Sequence, residues 1–345
     1  MGRPRKEHDL NLVYRVAELF FQGVKAQKIS DHINKEFNPT PKFNRESVYP
    51  MLVIAKEKNI LRLIPPVENT LKSEICKKFN LPEKHITVVY SSEDNTGANV
   101  AAKAAEIALD FIEEIGSSTN KPVGIGLGPG SATLDFCRYL KDYVQTEIYA
   151  PLLNLYAISA GGSAFFPQYA SISFFNLFPP KLVKQKVGLF AETLVPTQEY
   201  DEIINRPIVS EAFKQRDAVD IVVTGMGDMN DQHDLLRGFL EKNKINIQRL
   251  IRQGWIGNVQ YRPFSVNGPI HEKKNEMRAV TLFELEDFVD LAKTKDKHVI
   301  LIARKCGGCG NTRVHALLPL LVNPNLKVWS EIVMDGDTAK DLLKL

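Results

Sequence analysis

With 345 residues, 44% of them hydrophobic and 25% charged, the chain has the composition of a globular protein with a large core and two domains. No apolar run approaches the roughly 20 residues that a membrane span requires, and the charged N-terminus lacks an apolar signal segment. Four cysteines do not form a disulfide framework in a chain of this length, so we expect a cytoplasmic protein without membrane contact.

The net charge of +3 is distributed unevenly along the chain. Residues 1–66 contain 12 Lys and Arg against 7 Asp and Glu, whereas the remaining 279 residues contain 32 against 34. A cationic surface attracts a polyanion and releases its counterions. The charge therefore indicates either a nucleic-acid-binding segment or an ordinary domain with a solvated basic face.

Three short segments of helical periodicity follow one another in this basic region. The first runs from Asp9, a candidate N-cap, to Gln22, and the second covers residues 26–34. After a polar stretch, a third helix covers residues 44–59, and residues 60–64 follow as a short strand or wing. This pattern predicts a winged helix-turn-helix domain over residues 1–66, with a generic helical subdomain as the alternative.

The third helix of such a domain presents its N-terminal side chains to the major groove of double-stranded DNA. A basic arm at the extreme N-terminus can enter the minor groove, although a disordered tail has the same composition. Pro50 lies inside the predicted helix and is expected to kink it. The candidate DNA contacts are Arg3, Arg5, Lys42, Asn44, Arg45, Ser47 and Tyr49.

Beyond Pro65–Pro66, β-rich runs alternate with helical segments. Helices are predicted at 67–79 and 99–115, and strands at 86–90, 123–127, 152–158, 187–189, 221–224 and 299–303. This alternation favours an α/β domain over residues 67–345, with a mostly parallel, helix-flanked, Rossmann-like sheet. Such sheets bind ligands at the carboxyl ends of their strands.

Glycines follow several of these predicted strands. Gly128 and Gly130 allow backbone amides to approach an anion, Ser131 and Thr133 add hydroxyls, and a helix starts beside Ala132. We interpret residues 128–133 as a cradle for a phosphate or sugar, with a tight strand–helix turn as the alternative. Two similar turns, Gly161–Gly162 and Gly227–Asp228, are predicted to line the same rim.

The order and spacing of several segments resemble those of SorC/DeoR-type sugar-responsive transcriptional regulators. The resemblance is carried by Gln27–Ile33, Asn44–Val48, Gly124–Leu140, Val222–Gly227 and Gly254–Phe264. It implies an N-terminal helix-turn-helix and a sugar-phosphate-isomerase-like effector domain. It also implies that Asn258 and Arg313 contact the effector.

The resemblance further implies a function and an assembly. It predicts a homo-oligomer, a dimer or tetramer, whose affinity for operator DNA changes when a small sugar or sugar phosphate binds. It predicts no enzymatic activity and no cofactor. The alternative is an isomerase-like enzyme or a ligand sensor with altered DNA binding, for which Asp228, Asp231 and His233 are the candidate catalytic residues.

Cys306-Gly-Gly-Cys309 is a lone CxxC motif. Two ordinary thiols in a glycine-rich turn are one interpretation, and we predict no metal site from the sequence. A zinc site would need two further ligands, for which His315, Cys76 and Cys137 are candidates. A redox-active dithiol is the third interpretation.

Overall fold

The computed structural model describes residues 9–58, 60–61, 64–91, 96–146, 150–162 and 166–345. The chain divides into two compact units, Met1–Leu63 and Ile64–Leu345, which we call the head and the body. This division falls three residues before the predicted one. No helix in the described part is long and apolar enough to cross a membrane.

The three helices predicted in the head are confirmed. They are α1 (Leu10–Phe21), α2 (Ala26–Glu36) and α3 (Val48–Glu57). Asp9 caps α1 as predicted, because its carboxylate accepts a hydrogen bond from the Asn11 amide. The apolar faces of the helices share one core, to which Val16, Ile29 and Ile33 contribute fully buried side chains.

The third helix begins differently from the prediction. A 3-10 turn, Arg45–Ser47, precedes α3, so Pro50 is the third residue of the α-helix. Amides in the first turn have no helical carbonyl partner, so Pro50 costs α3 no hydrogen bond. The predicted kink is therefore wrong, since α3 continues through Pro50 to Glu57.

The predicted wing strand is wrong in the part that the structure describes. The amides of Ile60 and Leu61 both donate to the carbonyl of Ala55, at 2.8 and 3.1 Å, and so continue the end of α3 instead of pairing as a strand. Residues 62 and 63 lie outside the described residues.

The body alternates strands and helices. Its helices are α4 (Asn69–Phe79), α5 (Thr96–Thr119), α6 (Ser131–Thr146), α7 (Tyr200–Ile204), α8 (Pro207–Lys214), α9 (Leu235–Lys242), α10 (Gln248–Arg252), α11 (Leu285–Leu291), α12 (Val314–Val322) and α13 (Gly336–Lys344). Its strands are β1 (Ile86–Val89), β2 (Val123–Leu127), β3 (Leu153–Ala157), β4 (Val183–Val187), β5 (Leu194–Pro196), β6 (Ile221–Gly225), β7 (Gly227–Asp228), β8 (Gly257–Val259), β9 (Arg262–Ser265), β10 (Gly268–Pro269), β11 (Met277–Ala279), β12 (His298–Ala303) and β13 (Glu331–Asp335).

Seven of the described strands form one parallel sheet in the order β1-β13-β12-β6-β2-β3-β4. Both faces of the sheet are buried. Ile221 and Val223 of β6 pack into one core, and Val222 between them packs into the other. The predicted α/β class with a helix-flanked parallel sheet is confirmed, and double-sided burial explains why these strands read as continuous apolar runs.

Two predicted details of the sheet need correction. The strand predicted at residues 187–189 lies earlier, because β4 runs from Val183 to Val187. β13 was not predicted as a strand, although it lies inside the sheet between β1 and β12.

A smaller antiparallel sheet, β10-β9-β8-β7, and the β5–β11 pair complete the described strands of the body. A buried ion-pair network joins them. Arg262 of β9 is 2% exposed, and its guanidinium contacts the carboxylates of Glu272 and Glu284 and the hydroxyl of Thr281. The Glu272 carboxylate also accepts the amide of Ala279 in β11, at 2.9 Å. Arg262 therefore connects three segments of the body through one buried charge.

Candidate functional site

The glycine turns lie at one edge of the parallel sheet, as predicted. β3, β2, β6 and β12 are successive neighbours, all parallel, so the loops that follow them meet at the same edge. These loops contain Gly161–Gly162 after β3, Gly128–Gly130 after β2 and Gly227 after β6. Residues that are distant in sequence thereby form one continuous rim.

The predicted cradle, Gly128–Thr133, forms the turn between β2 and α6. The amides of Gly128 and Gly130 donate to the carbonyls of Val223 and Tyr169, both at 2.9 Å, so they hold the loop in place. The first amides of a helix have no acceptor within it, so the start of α6 is suited to hold an anion. Thr133 is fully buried, and its hydroxyl has no hydrogen-bond partner among the described residues.

Only glycine fits at position 128. A Cβ there would lie 2.5 Å from the Thr224 hydroxyl and 3.0 Å from Nε2 of Gln260. This Nε2 is buried and has no hydrogen-bond partner in the described part of the chain. Gln260 therefore brings a free amide donor beside the cradle. This position was not predicted from the sequence, because Gln260 lies in the tight β8–β9 turn, far from the glycine loop in sequence.

Arg304 is a second residue that the sequence analysis missed. Its guanidinium donates to the Gly97 carbonyl and the Asp135 carboxylate, both at 2.9 Å, and to the Ser131 hydroxyl at 3.2 Å. It therefore places a cation at the first turn of α6. Its position directly after the apolar strand β12 was the available signal, because residues at strand carboxyl ends line this edge.

The second glycine turn packs tightly against its surroundings. Gly161 has a φ of +60°, and a Cβ there would lie 2.5 Å from the Thr193 hydroxyl. A Cβ on Gly162 would lie 2.7 Å from that of Ala170. Since Tyr169 bonds to Gly130, this turn and the cradle are joined through residues 169–170.

The third turn is held by buried polar contacts. Asp234 caps α9 by accepting the Arg237 amide, and its other oxygen accepts Nδ2 of Asn258 at 2.8 Å. A Cβ on Gly227 would lie 1.8 Å from Oδ2 of Asp234, so this position requires glycine. Burial raises the pKa of Asp234 to about 6. Asn258 is thus near the rim, but its amide is used by the protein.

Asp228 and Arg313 also have protein partners. Asp228 accepts the amides of Asn230 and Ala316, at 2.9 and 3.3 Å. Arg313 forms two hydrogen bonds to the carboxylate of Asp231, at 2.8 and 3.0 Å, and one to the carbonyl of Met226. Burial raises the pKa of Asp231, but the His233 amide and the Arg313 guanidinium outweigh it, so this pKa lies below its ordinary value.

A cleft of about 560 Å³ opens beside these residues, on the β12–β13 side of the rim. Its lining includes Asp228, Asp231, Lys305, His315 and Asp337. The predicted cradle is not part of this lining. The rim therefore has two distinct parts, a glycine cradle and a charged cleft.

Of the zinc-ligand candidates beyond the CxxC motif, none joins it. Cys76 is buried in α4 and Cys137 in α6, and His315 lines the cleft. Instead, Cys306 and Cys309 lie beside Asp231 and His233, which the sequence analysis had proposed as catalytic residues. Burial raises the pKa of the Cys137 thiol well above its ordinary value, which leaves it a core side chain.

The candidate DNA contacts described in the head lie around the start of α3. Asn34 bonds to both the amide and the carbonyl of Phe43, at 2.9 and 2.7 Å, and so anchors the segment before α3 to α2. Asn44 caps the 3-10 turn by accepting the amide and hydroxyl of Ser47. Lys42, Asn44, Arg45 and Tyr49 are exposed to solvent and Ser47 is half-buried, whereas Arg3 and Arg5 lie outside the described residues.

Comparison with known proteins gives a consistent result. A family model described as "Putative sugar-binding domain" matches residues 67–344. The full-length sorbitol operon regulator SorC from Klebsiella pneumoniae is similar in structure, with a TM-score of 0.65 and 16% identity over 98% of this chain and 100% of that one.

Two further solved structures match the chain over about four fifths of its length. A DeoR family transcriptional regulator from Listeria monocytogenes has a TM-score of 0.56 and 19% identity over 79% of this chain and 98% of that one. A transcriptional regulator from Streptococcus pneumoniae has a TM-score of 0.56 and 16% identity over 80% and 96%. At identities this low, the structural similarity establishes a shared fold and nothing more. No curated protein sequence matches the chain significantly.

Proposed function

This chain belongs to the sugar-binding domain family, and from that premise we propose that it is a transcriptional regulator whose affinity for operator DNA is set by a sugar or sugar phosphate. The observation that carries the proposal is the combination of a basic three-helix head with a body of this family, in the fold of SorC. Residues 1–66 would bind DNA, and residues 67–345 would bind the effector and form a homodimer or homotetramer.

The DNA interface is assigned to the N-terminal end of α3. Lys42, Arg45 and Tyr49 are exposed there, while Asn44 and Ser47 hold the turn that positions them. A helix that inserts its N-terminal residues into the major groove uses such cations for guanine edges or phosphates. A symmetric oligomer would place two such helices on a palindromic operator.

The effector site is assigned to the cradle and its neighbours. The first-turn amides of α6, the unpartnered hydroxyl of Thr133 and the amide of Gln260 supply donors, and Arg304 supplies positive charge. This set matches a phosphate or a polar sugar. The proposed site is completed by Ser131, Ala132, Gly161, Gly162, Gly227, Asp228, Asn258 and Arg313.

No catalytic role is assigned. Asp228, Asp231 and His233 were the candidate general bases. However, the Asp228 carboxylate accepts hydrogen bonds from two backbone amides, and Asp231 is paired with Arg313. Regulation then follows from linkage. An effector that binds one arrangement of the oligomer more tightly shifts the population and changes DNA affinity by the difference in its binding energies.

DNA binding is tested by titrating the full chain against DNA from its own upstream region and against random DNA, at several salt concentrations. The double variant Lys42→Ala/Arg45→Ala should lower specific affinity, with about 1–3 kcal/mol lost for each base contact and a shallower salt dependence for each phosphate contact. Lys214→Ala, an exposed lysine of the body, is the control. Unchanged affinity and salt slope in the double variant would contradict the assigned interface.

Effector binding is tested with sugar phosphates added to the same titration and by calorimetry without DNA. Gly130 has a φ of +108°, so Gly130→Val strains the cradle and should abolish the response. Gly268 has a φ of +144° and lies in β10, so Gly268→Val is a control with comparable backbone strain outside the proposed site. A normal response in a folded Gly130→Val variant would contradict the cradle assignment.

A further inference from the structure

Two loops at the sheet edge bring together four side chains of metal-ligand type. Asp231 and His233 lie in the loop after β7, and Cys306 and Cys309 lie in the loop after β12. One ligand atom from each of the four residues lies within 4.8 Å of all the others. Since the two loops are more than 70 residues apart in sequence, the fold itself creates the cluster.

The spacing of the ligand atoms fits a tetrahedral zinc ion. Zinc bonds of about 2.0–2.3 Å to N, O and S ligands give a tetrahedron with edges of about 3.3–3.8 Å. Cys306 Sγ is 3.5 Å from Nδ1 of His233, and Cys309 Sγ is 3.7 Å from Oδ1 of Asp231. His233 Nδ1 and Asp231 Oδ1 are 3.5 Å apart. Three of the six distances between ligand atoms therefore already match the edges of a zinc tetrahedron.

The backbone of both loops holds this arrangement. Oδ1 of Asp231 accepts the His233 amide at 2.8 Å, which sets the two side chains side by side. The Gly310 amide donates to the Cys306 carbonyl and closes the CxxC turn, with Gly310 at a φ of +76°. A Cβ on Gly308 would lie 2.8 Å from the His233 ring, so glycine there allows the two loops to meet.

Arg313 supplies the outer contact that such a site requires. It binds Oδ2 of Asp231, which leaves Oδ1 facing the thiols. Partners of this kind fix the orientation of a ligand and tune the metal. Two thiolates, one carboxylate and Zn²⁺ carry a net charge of −1, which the guanidinium balances.

We propose that Asp231, His233, Cys306 and Cys309 bind a structural Zn²⁺ ion that ties the β7 loop to the β12 loop. Thiolate and imidazole ligands select zinc over magnesium and calcium, which prefer oxygen. Four protein ligands leave no open position, so the ion has a structural and not a catalytic role. Asp228 ends β7 and Arg313 lies in the loop after β12, so the metal would fix the charged side of the rim.

The first test measures metal content and coordination on the full chain, purified under reducing conditions without chelator. Elemental analysis should find one zinc ion per chain. Replacement by Co²⁺ in chelator-treated protein should give the intense visible bands of a tetrahedral site and thiolate-to-cobalt charge-transfer bands in the near ultraviolet. Both readouts are independent of DNA and effector binding, so they stand whether or not the proposed function does.

Variants separate the site from its alternatives. Cys306→Ser/Cys309→Ser should lose the metal and the charge-transfer bands, whereas Cys76→Ala and Cys137→Ala should keep both. Arg313→Gln should weaken zinc binding by roughly 10–100-fold, as expected for an outer contact. Circular dichroism confirms that each variant folds, and the Co²⁺ titration of wild-type protein does not depend on any variant.

Two results would overturn the proposal. One is metal binding that survives in Cys306→Ser/Cys309→Ser. The other is freshly reduced wild-type protein that takes up neither Zn²⁺ nor Co²⁺; a Cys306–Cys309 disulfide found in that protein after air oxidation would instead assign a redox dithiol to the motif.

Discussion

In the head, the candidate DNA contacts that the structure describes lie within eight residues, Lys42 to Tyr49, whereas those proposed for the effector come from five segments between Gly128 and Arg313. The head builds its surface from one helix start, which is determined by local sequence. The body builds its rim from the carboxyl ends of neighbouring strands, which are adjacent only after folding. Four pairs of variants test whether the two units differ in stability and function as this contrast implies.

The largest expected effect is on the stability of the body. Arg262→Ala leaves the buried Glu272 carboxylate without its ion-pair partner, whereas Glu284 keeps its pair with Arg278, and the loss should cost about 3–5 kcal/mol. Trp255 and Trp329, the two tryptophans of the chain, both lie in the body, so urea unfolding followed by their fluorescence reports on this unit. Arg206→Ala breaks an exposed pair and should cost at most about 0.5 kcal/mol. A loss below about 1 kcal/mol for Arg262→Ala would show that the network contributes little.

Next in size is a change confined to the core of the head. Ile33 is fully buried, and Ile33→Ala should cost about 2–5 kcal/mol, enough to unfold a unit of this size. DNA binding should then be lost while the tryptophan unfolding transition stays unchanged. Leu10→Ala, at a residue 53% exposed, serves as the control. A shifted tryptophan transition in Ile33→Ala would mean that the two units do not unfold independently.

A smaller effect separates capping from DNA contact at Asn44. Asn44→Ala removes the cap of the turn before α3 and should cost about 1 kcal/mol, or about fivefold faster amide exchange in residues 45–57. Asn44→Ser keeps a capping oxygen and should exchange like wild type. Hydrogen exchange and DNA titration of both variants are compared. If both variants lose the same DNA affinity while Asn44→Ser exchanges normally, the Asn44 side-chain amide contacts DNA in addition to capping the turn.

The smallest effect is a pH dependence of the body. His298 stacks on Phe111 at 3.6 Å, and burial lowers the pKa of this histidine. The unfolded state therefore binds the proton more tightly, so this contribution to stability is present above the unfolded pKa of about 6.5 and is lost as pH falls from there through the lower pKa of the folded state. His298→Phe keeps the stack and should flatten the fall in urea midpoint between pH 7.5 and 5.5, whereas His32→Gln in the head should not. Identical slopes for His298→Phe and wild type would contradict this assignment.

Local patterns predicted the elements better than their junctions. The helices of the head and the strands at residues 123–127 and 221–224 were found because their apolar periodicity spans whole elements. The kink at Pro50 was wrong because the sequence does not show that a 3-10 turn places this proline in the first turn of α3. The wing strand failed because the amides of Ile60 and Leu61 close the helix end.

The site was predictable only in part, for a related reason. The glycine turns could be identified because glycine after a strand is visible in sequence. Gln260 and Arg304 could not be assigned to the cradle, because nothing local shows which strands are neighbours. The proximity of the CxxC motif to Asp231 and His233 was not predictable for the same reason, since β6 and β12 are adjacent in the sheet and not in the chain.

The position of β13 has a consequence for how the protein is made. Among the strands that the structure describes, β1 pairs within the sheet with β13 alone, and β13 begins at Glu331, more than 240 residues after β1 ends at Val89. At about 5–20 residues per second, a ribosome would take roughly 10–50 s to synthesise the intervening chain. During that interval β1 has no strand partner, while the head is already complete and can fold. The nascent chain would thus hold a finished head on an unfinished body, with an exposed strand edge that a chaperone is suited to cover.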